Sequence, residues 1–438
     1  MANPHENSFI SIAPGSARIW LWTGMSVLLL ASLLLAFSPN YRWNVHKGES
    51  PYGSDFLQDW TGANMLVSGH ANQLFDAASF DAWQHDPQRI GFTWNADQFY
   101  PTVYPPPYYL LLCPLGLLDY RLAVVVWLGI LLIALCAAIM IVERLREGKG
   151  ASRGSRWYWP AMLLFPPVLL SLAMGQKGTL WLLVFAVTWG LMQRQRPLTA
   201  GLVFGLLSVK PTLFFFLPLV MLYHRQWRFV WGAGMSWIGL WGVAAAVLPG
   251  HVWGEFLEVA RGAGNYHQNA GYQLNWSCNL LSLTAGLEKI WLPAWANYLL
   301  LGLLASYVVS LACFANRWVQ QERFDLRQGR HLGGAIVATC LLSPHFYVYD
   351  LVVLLLPIRL LWATHRTQAV LLLLLSWVGV LASQLFQAAL GLPLMPLVLL
   401  GSLYCLSTVT VHAVVRSGDC DSSTHTNVLH GILPGHAG

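Results

Sequence analysis

The stretch VYPPPYYLLLCPLGLLDYRLAVVVWLGILLIALCAAIMIV, Val103 to Val142, holds two apolar runs, Val103–Leu118 and Leu122–Val142. How many of them cross a bilayer decides the topology. Upstream, between Ser38 and Tyr100, Glu49, Asp55, Asp59, Asp76, Asp81, Asp86 and Asp97 outnumber Arg42, Lys47 and Arg89. Downstream, ERLREGKGASRGSR carries Arg144, Arg146, Lys149, Arg153 and Arg156. Lys and Arg concentrate in cytoplasmic loops, so the first segment is expected outside and the second inside. One crossing satisfies both; two would not. Pro105, Pro106 and Pro107 fix φ and remove backbone donors. The first run is therefore expected to lie along the outer interface, and the second to span.

The rest of the chain fits a protein made of such segments. Of its 438 residues 56% are hydrophobic and 10% charged, against about 25% charged in a soluble domain. Many apolar runs approach the ~20 residues of a spanning helix. A single soluble core cannot hide so much apolar surface. A β-barrel alternates apolar and polar residues along each strand and does not run continuously apolar. The expected class is an all-α polytopic membrane protein. The formal charge of +6 comes from basic residues in short loops, an orientation signal, and no nucleic-acid partner is expected. Seven cysteines form no CxxC pair, so no metal site is expected.

Reading onward, residues 1–18 form a cytoplasmic N-terminus and Ile19–Phe37 an uncleaved anchor helix. A first outer loop covers 38–120 and a second 249–290. Residues 19–415 form one integral membrane domain, and 416–438 a disordered cytoplasmic tail. The run Leu198–Tyr223 has basic residues at both ends and 26 residues, about 39 Å as a helix, too short to cross twice. It reads as a broken hairpin turning at Lys210-Pro211. The whole gives about 12 membrane segments, both termini cytoplasmic, with most of the 25 Lys and Arg residues inside.

Several polar residues stand where the bilayer disfavours them, near the outer ends of their segments: Gln176 and Lys177 in MGQKG, Lys210 in SVKPT, and His345 and Asp350 in SPHFYVYD. Ionisable residues at such depth are functional candidates by default. Asp55 and Asp59 in GSDFLQDW share a helix face by their spacing. They read either as a cap, Ser54 and Asp55 suiting a first helical turn, or as a general base. Lys210 reads either as a snorkelling cation or as a phosphate contact in a cavity. His345 reads as a packing residue or as a base. Aromatic residues crowd the first outer loop, Tyr104 among them. They form an interfacial belt, with stacking on a sugar face open to a few. In the second outer loop, GNYHQNAGYQLNWSCN, which includes Asn275, is polar and glycine-rich and suits binding. DCD in the tail resembles a sugar-nucleotide metal motif but is short and isolated.

The ordered set SDFLQDWTGANMLVSGHANQLFD, YPPPYYLLLCPLGLL, GQKGTLWLL, GLLSVKPTLFFFLPL, NWSCNLL and LLSPHFYVYD resembles glycosyltransferase family 87. These are membrane proteins of the C-type glycosyltransferase fold, similar to polyprenol-phosphate-mannose-dependent α-1,2-mannosyltransferases. The resemblance implies a helical bundle with two juxtamembrane helices in the first outer loop and an active site at the outer face of a bacterial inner membrane. It implies a polyprenyl-phosphate sugar donor, with mannose as the sugar, a glycan or glycolipid acceptor, and no cofactor. Asp55, and secondarily His345, are the implied catalytic residues. Lys210 is the implied donor-phosphate contact, and Asp59 and Gln176 help position substrate. Lys177, Tyr104, Asn275 and Asp350 complete the expected binding set. The lipid tail of the donor is expected to run beside Gly201 and Gly205, which allow close backbone approach. The rival readings are a transporter or flippase, a polysaccharide polymerase or ligase with a diphosphate donor, and a non-catalytic membrane partner.

Overall fold

The computed structural model describes residues 51, 53–147, 162–269, 277–290, 292–320, 324–364, 366–404 and 406. The expected anchor Ile19–Phe37, the tail and Asn275 lie outside them. The described residues are helical with no β-sheet; Ser277 and Tyr347 form an isolated antiparallel bridge. In chain order the helices are α1 (Phe56–Val67), α2 (Ala77–Gln84), α3 (Pro87–Ile90), α4 (Pro106–Gly116), α5 (Tyr120–Glu147), α6 (Pro166–Ala173) and α7 (Gly178–Gln193). Then come α8 (Pro197–Gly205), α9 (Pro211–Phe214), α10 (Phe216–Tyr223), α11 (Trp227–Val247) and α12 (His251–Asn269). The last are α13 (Leu280–Ile290), α14 (Ala294–Gln320), α15 (Gly329–Leu342), α16 (Leu355–Thr364) and α17 (Arg366–Leu390).

The two apolar runs of the opening stretch separate as α4 and α5. The 11 residues of α4 reach about 16 Å, half a hydrocarbon core. Pro105 and Pro106 start it with φ already set. It packs on α1: Asn64 Nδ2 donates to Gly116 O at 2.9 Å and Trp60 Nε1 to Leu118 O at 3.1 Å. By contrast α5 runs unbroken for 28 residues. Among the described residues, three helices are long and apolar enough to cross a bilayer: Tyr120–Leu145 within α5, Trp227–Val247 and Trp295–Ala312. Shorter apolar helices cover Gly178–Gln193, Pro197–Val209, Pro211–Tyr223, Ala369–Val380 and Met395–Tyr404.

The Leu198–Tyr223 run breaks at Lys210. α8 tightens into a 3₁₀ turn, Leu206–Val209, Lys210 leaves helical φ/ψ, and Pro211 restarts the chain. The proline removes one backbone donor and fixes where the helix stops. The flanking helix α8 lies directly on α11: a Cβ on Gly201 would sit 2.1 Å from Phe229 O, and one on Gly232 2.1 Å from Leu198 O. The close approach expected at Gly201 and Gly205 is thus present, and α11 is the neighbour that fills that seam. Within the expected second outer loop, 249–290, much of the chain is helical, in α12 and α13.

Candidate active site

Two neighbouring residues, Gln176 and Lys177, reach the two acids of GSDFLQDW. The α1 end that presents those acids begins with Gly53 and Ser54, both at positive φ, 83° and 50°. Left-handed backbone at a non-glycine residue is uncommon and marks a constrained site. Asp55 is the N-cap position of α1 yet makes no capping bond. Its carboxylate accepts a hydrogen bond from Gln176 Nε2 instead. The capping alternative is set aside, because the side chain is engaged elsewhere. One turn on, Asp59 meets Lys177 Nζ at 2.9 Å, with the two side chains 0% and 1% exposed.

The loop that carries Gln176 and Lys177 is rigidly built. Gly175 turns with φ 63°, and its carbonyl accepts from Trp127 Nε1 at 2.7 Å. Gln176 N donates back to Ser171 O at 2.7 Å, while Ser171 Oγ donates to Gln176 O at 2.8 Å. Gln176 is therefore held by its backbone, and its amide is aimed by the loop. Above Lys177 lies the Tyr104 ring, 4.2 Å from Nζ, and Tyr108 lies at 5.5 Å. A cation over an aromatic face is attracted by the ring quadrupole.

A second ion pair stands beside the first. Lys210 Nζ lies 2.6 Å from Asp350 Oδ1. The ammonium also lies 6.0 Å from the Trp181 ring and 5.9 Å from the Phe346 ring. Trp181 sits one turn beyond Lys177 on α7, which joins the two pairs into one cluster. Asp350 Oδ2 accepts from Tyr347 N at 3.3 Å, completing a capping box at the 3₁₀ turn Val348–Leu354. The segment before it is pinned too: Asn279 Nδ2 donates to Pro344 O at 3.0 Å and Cys278 N to Phe346 O at 2.9 Å. His345 is half-buried between those two anchors, bordering the cluster through its neighbour Phe346.

Burial pushes the Asp55 carboxyl above the ordinary carboxylate range, and Gln176 and Lys177 pull part of that back. Its side chain sits deep among protein atoms but is not closed off, whereas Asp59 is completely buried. Burial raises Asp59 to about 6, against the opposing pull of Lys177 and with a smaller push from Asp55. The acid that keeps access is therefore Asp55, held by a neutral amide and free to take a proton.

Of the expected residues, Asp55, Asp59, Gln176, Lys177, Tyr104, Lys210 and Asp350 come together. Lys177 and Asp59 turn to each other, not to the surface. Tyr108, Trp127 and Trp181 were not expected as site residues. The one sequence signal that could have found Trp181 is its spacing, four residues after Lys177 and so on the same helix face. Among the described residues no group of three or more His, Cys, Asp or Glu side chains could hold a metal ion.

The model of glycosyltransferase family 87 matches residues 102–344. The chain belongs to glycosyltransferase family 87. The match takes in Tyr104, Gln176, Lys177 and Lys210, while Asp55, Asp59, His345 and Asp350 lie outside it and join the site through geometry. Searches of curated proteins and of solved structures returned no match. As a member of this family the chain is a membrane glycosyltransferase.

Proposed function

We propose that the protein moves a sugar, mannose in the reading its resemblance favours, from a polyprenyl-phosphate donor to a hydroxyl of a lipid-linked or envelope glycan. The reaction takes place at the outer face of a bacterial inner membrane, with both termini cytoplasmic. The observation that carries the reading is the division of labour between the two acids. Asp59 is neutralised by Lys177 in a sealed pocket, while Asp55 is held by an amide and stays open.

In this scheme the acceptor O–H attacks the anomeric carbon from the face opposite the phosphate. Asp55 takes its proton as the new C–O bond forms. The old C–O bond breaks with its electron pair on the phosphate oxygen, and the anomeric configuration inverts. A phosphate is already a good leaving group, so it needs charge stabilisation more than protonation. Lys210 supplies that charge. Asp350 holds Lys210 in place and satisfies only part of its donor capacity, since an ammonium has three N–H groups. Buried donors nearby suit an anion too: Trp181 Nε1, Thr179 Oγ1 and Ser208 Oγ have no hydrogen-bond partner among the described residues. A buried donor without a partner costs free energy that an anionic guest would recover.

The test is incubation of the purified protein with labelled polyprenyl-phosphate mannose and envelope lipid, followed by product analysis. Wild type should yield a labelled glycolipid of inverted configuration. Asp55→Asn should lose about 10²–10⁴-fold in rate with an unchanged unfolding temperature. Full activity in that variant would reject Asp55 as base. A wild type that transfers nothing from any polyprenyl-phosphate sugar would overturn the donor class.

A further inference from the structure

A cavity of about 570 Å³ lies at the other end of the bundle, lined by Gln195, Gln226, Arg228, Phe324, Arg327 and Gln328 among others. Its distance from the active site follows from the helices that connect them. α7 runs 16 residues from Lys177 to the turn that holds Gln195, about 24 Å. α8 begins at this cavity and ends in the turn that delivers Lys210. α15 begins at Gln328, which lines the cavity, and leads to Pro344 and His345.

The lining suits an anion. Arg327 is already committed, its guanidinium meeting Asp325 at 2.6 to 2.9 Å, so these two cancel. Arg228 makes no ion pair among the described residues and leaves the cavity a net positive charge. Gln195 and Gln226 add amide donors, with no side-chain hydrogen bonds among the described residues. Phe324 forms an apolar wall and is fixed there, stacked between His224 at 4.8 Å and His331 at 5.3 Å. Three helices, α8, α11 and α15, start at the edge of the cavity with no side-chain cap on their first turns. Their dipoles reinforce the charge supplied by Arg228. The volume falls within the range of small-molecule sites, roughly 300–1,000 Å³.

We propose that this cavity binds the phosphate group of an anionic ligand, with Arg228 as the principal contact and Gln195 and Gln226 as supporting donors. The phosphate comes either from a lipid headgroup of the adjacent leaflet or from a free phosphate. The site is separate from the transfer chemistry, and the proposal stands whether or not Asp55 is the base.

The full-length protein is purified in a neutral detergent and titrated in separate arms with inorganic phosphate and with mixed micelles of phosphatidylglycerol or phosphatidylcholine. Unfolding temperature gives the apparent affinity. Saturable stabilisation by phosphate identifies a free-phosphate site; stabilisation by phosphatidylglycerol alone identifies a headgroup site. Either way Arg228→Gln should weaken the apparent affinity roughly tenfold. Arg121→Gln, whose guanidinium binds Gly91 O in the first outer loop, should leave it unchanged. No saturable stabilisation by either ligand overturns the proposal. So does an equal loss in Arg121→Gln, which would indicate general attraction to a basic protein.

Discussion

Lys177 and Asp59 form an ion pair at 2.9 Å from which solvent is shut out. Removing one partner of such a pair leaves a buried charge uncompensated, at a cost of about 3–5 kcal/mol. Lys177→Met should therefore lower the unfolding temperature sharply. The double variant Lys177→Met with Asp59→Leu should recover much of the loss. Thermal unfolding in detergent measures both, and a double variant as unstable as the single one would remove the ion pair from the explanation.

The same pair gives the fold a pH signature. Asp59 is held up to about 6, against an ordinary 3.8. Between those values the folded chain keeps a proton that the unfolded chain has released. The contribution of this group to stability is therefore fully present below about pH 3.8 and is lost as the pH rises to about 6. Unfolding temperatures across that window should fall less with rising pH in Asp59→Asn than in wild type. Parallel slopes would show that Asp59 does not titrate there.

In the proposed mechanism Gln176 acts through Asp55, to which its amide donates. Its amide favours the ionised carboxylate, so Gln176→Leu should raise the Asp55 pKa further. A base must be ionised to work, so the acid limb of the rate profile should move to higher pH, with most of the rate restored in alkaline buffer. A uniform loss at every pH would mean that Gln176 only supports the loop.

Lys210 is expected to govern the donor. Lys210→Ala should raise the donor KM by about 10–100-fold, the range of a charge-assisted hydrogen bond, with the acceptor KM little changed. Asp350→Asn leaves the Lys210 side chain in the pocket and should cost the donor KM less than Lys210→Ala does. If Asp350→Asn matches Lys210→Ala, the pair serves structure and not the phosphate.

Helix packing offers an independent check on the bundle. A methyl group on Gly232 would meet the Leu198 carbonyl, so Gly232→Ala should destabilise by about 1–3 kcal/mol. Gly234 has open space around its Cβ position, and Gly234→Ala should be neutral or slightly stabilising. Equal unfolding temperatures for the two variants would contradict the α8–α11 contact.

Much of this was legible in the sequence, for identifiable reasons. The proline triplet and the charge of the flanking loops separated α4 from α5, and Lys210-Pro211 marked the break in the hairpin, because proline geometry is local. The polar residues of the site were also visible, since a charge in an apolar run stands out. Their pairing was not. Asp59 and Lys177 are far apart in sequence, as are Lys210 and Asp350, and no local rule joins them. The roles of Trp127 and Trp181 were hidden for a related reason: tryptophan is common here, and only the fold shows which indole faces a carbonyl or a cation. The helices within 249–290 were missed because their glycines and polar residues read as a loop.

The ion pairs also have a history within each molecule. Asp59 is synthesised long before Lys177, and Lys210 long before Asp350. Each early charge is made before its partner, and a charge left alone in an apolar setting is costly. Each pair, at Lys177–Asp59 and at Lys210–Asp350, therefore closes only when its later segment has been made. A chain that ended after the hairpin would hold Lys210 without the Asp350 carboxylate that meets it in the finished fold.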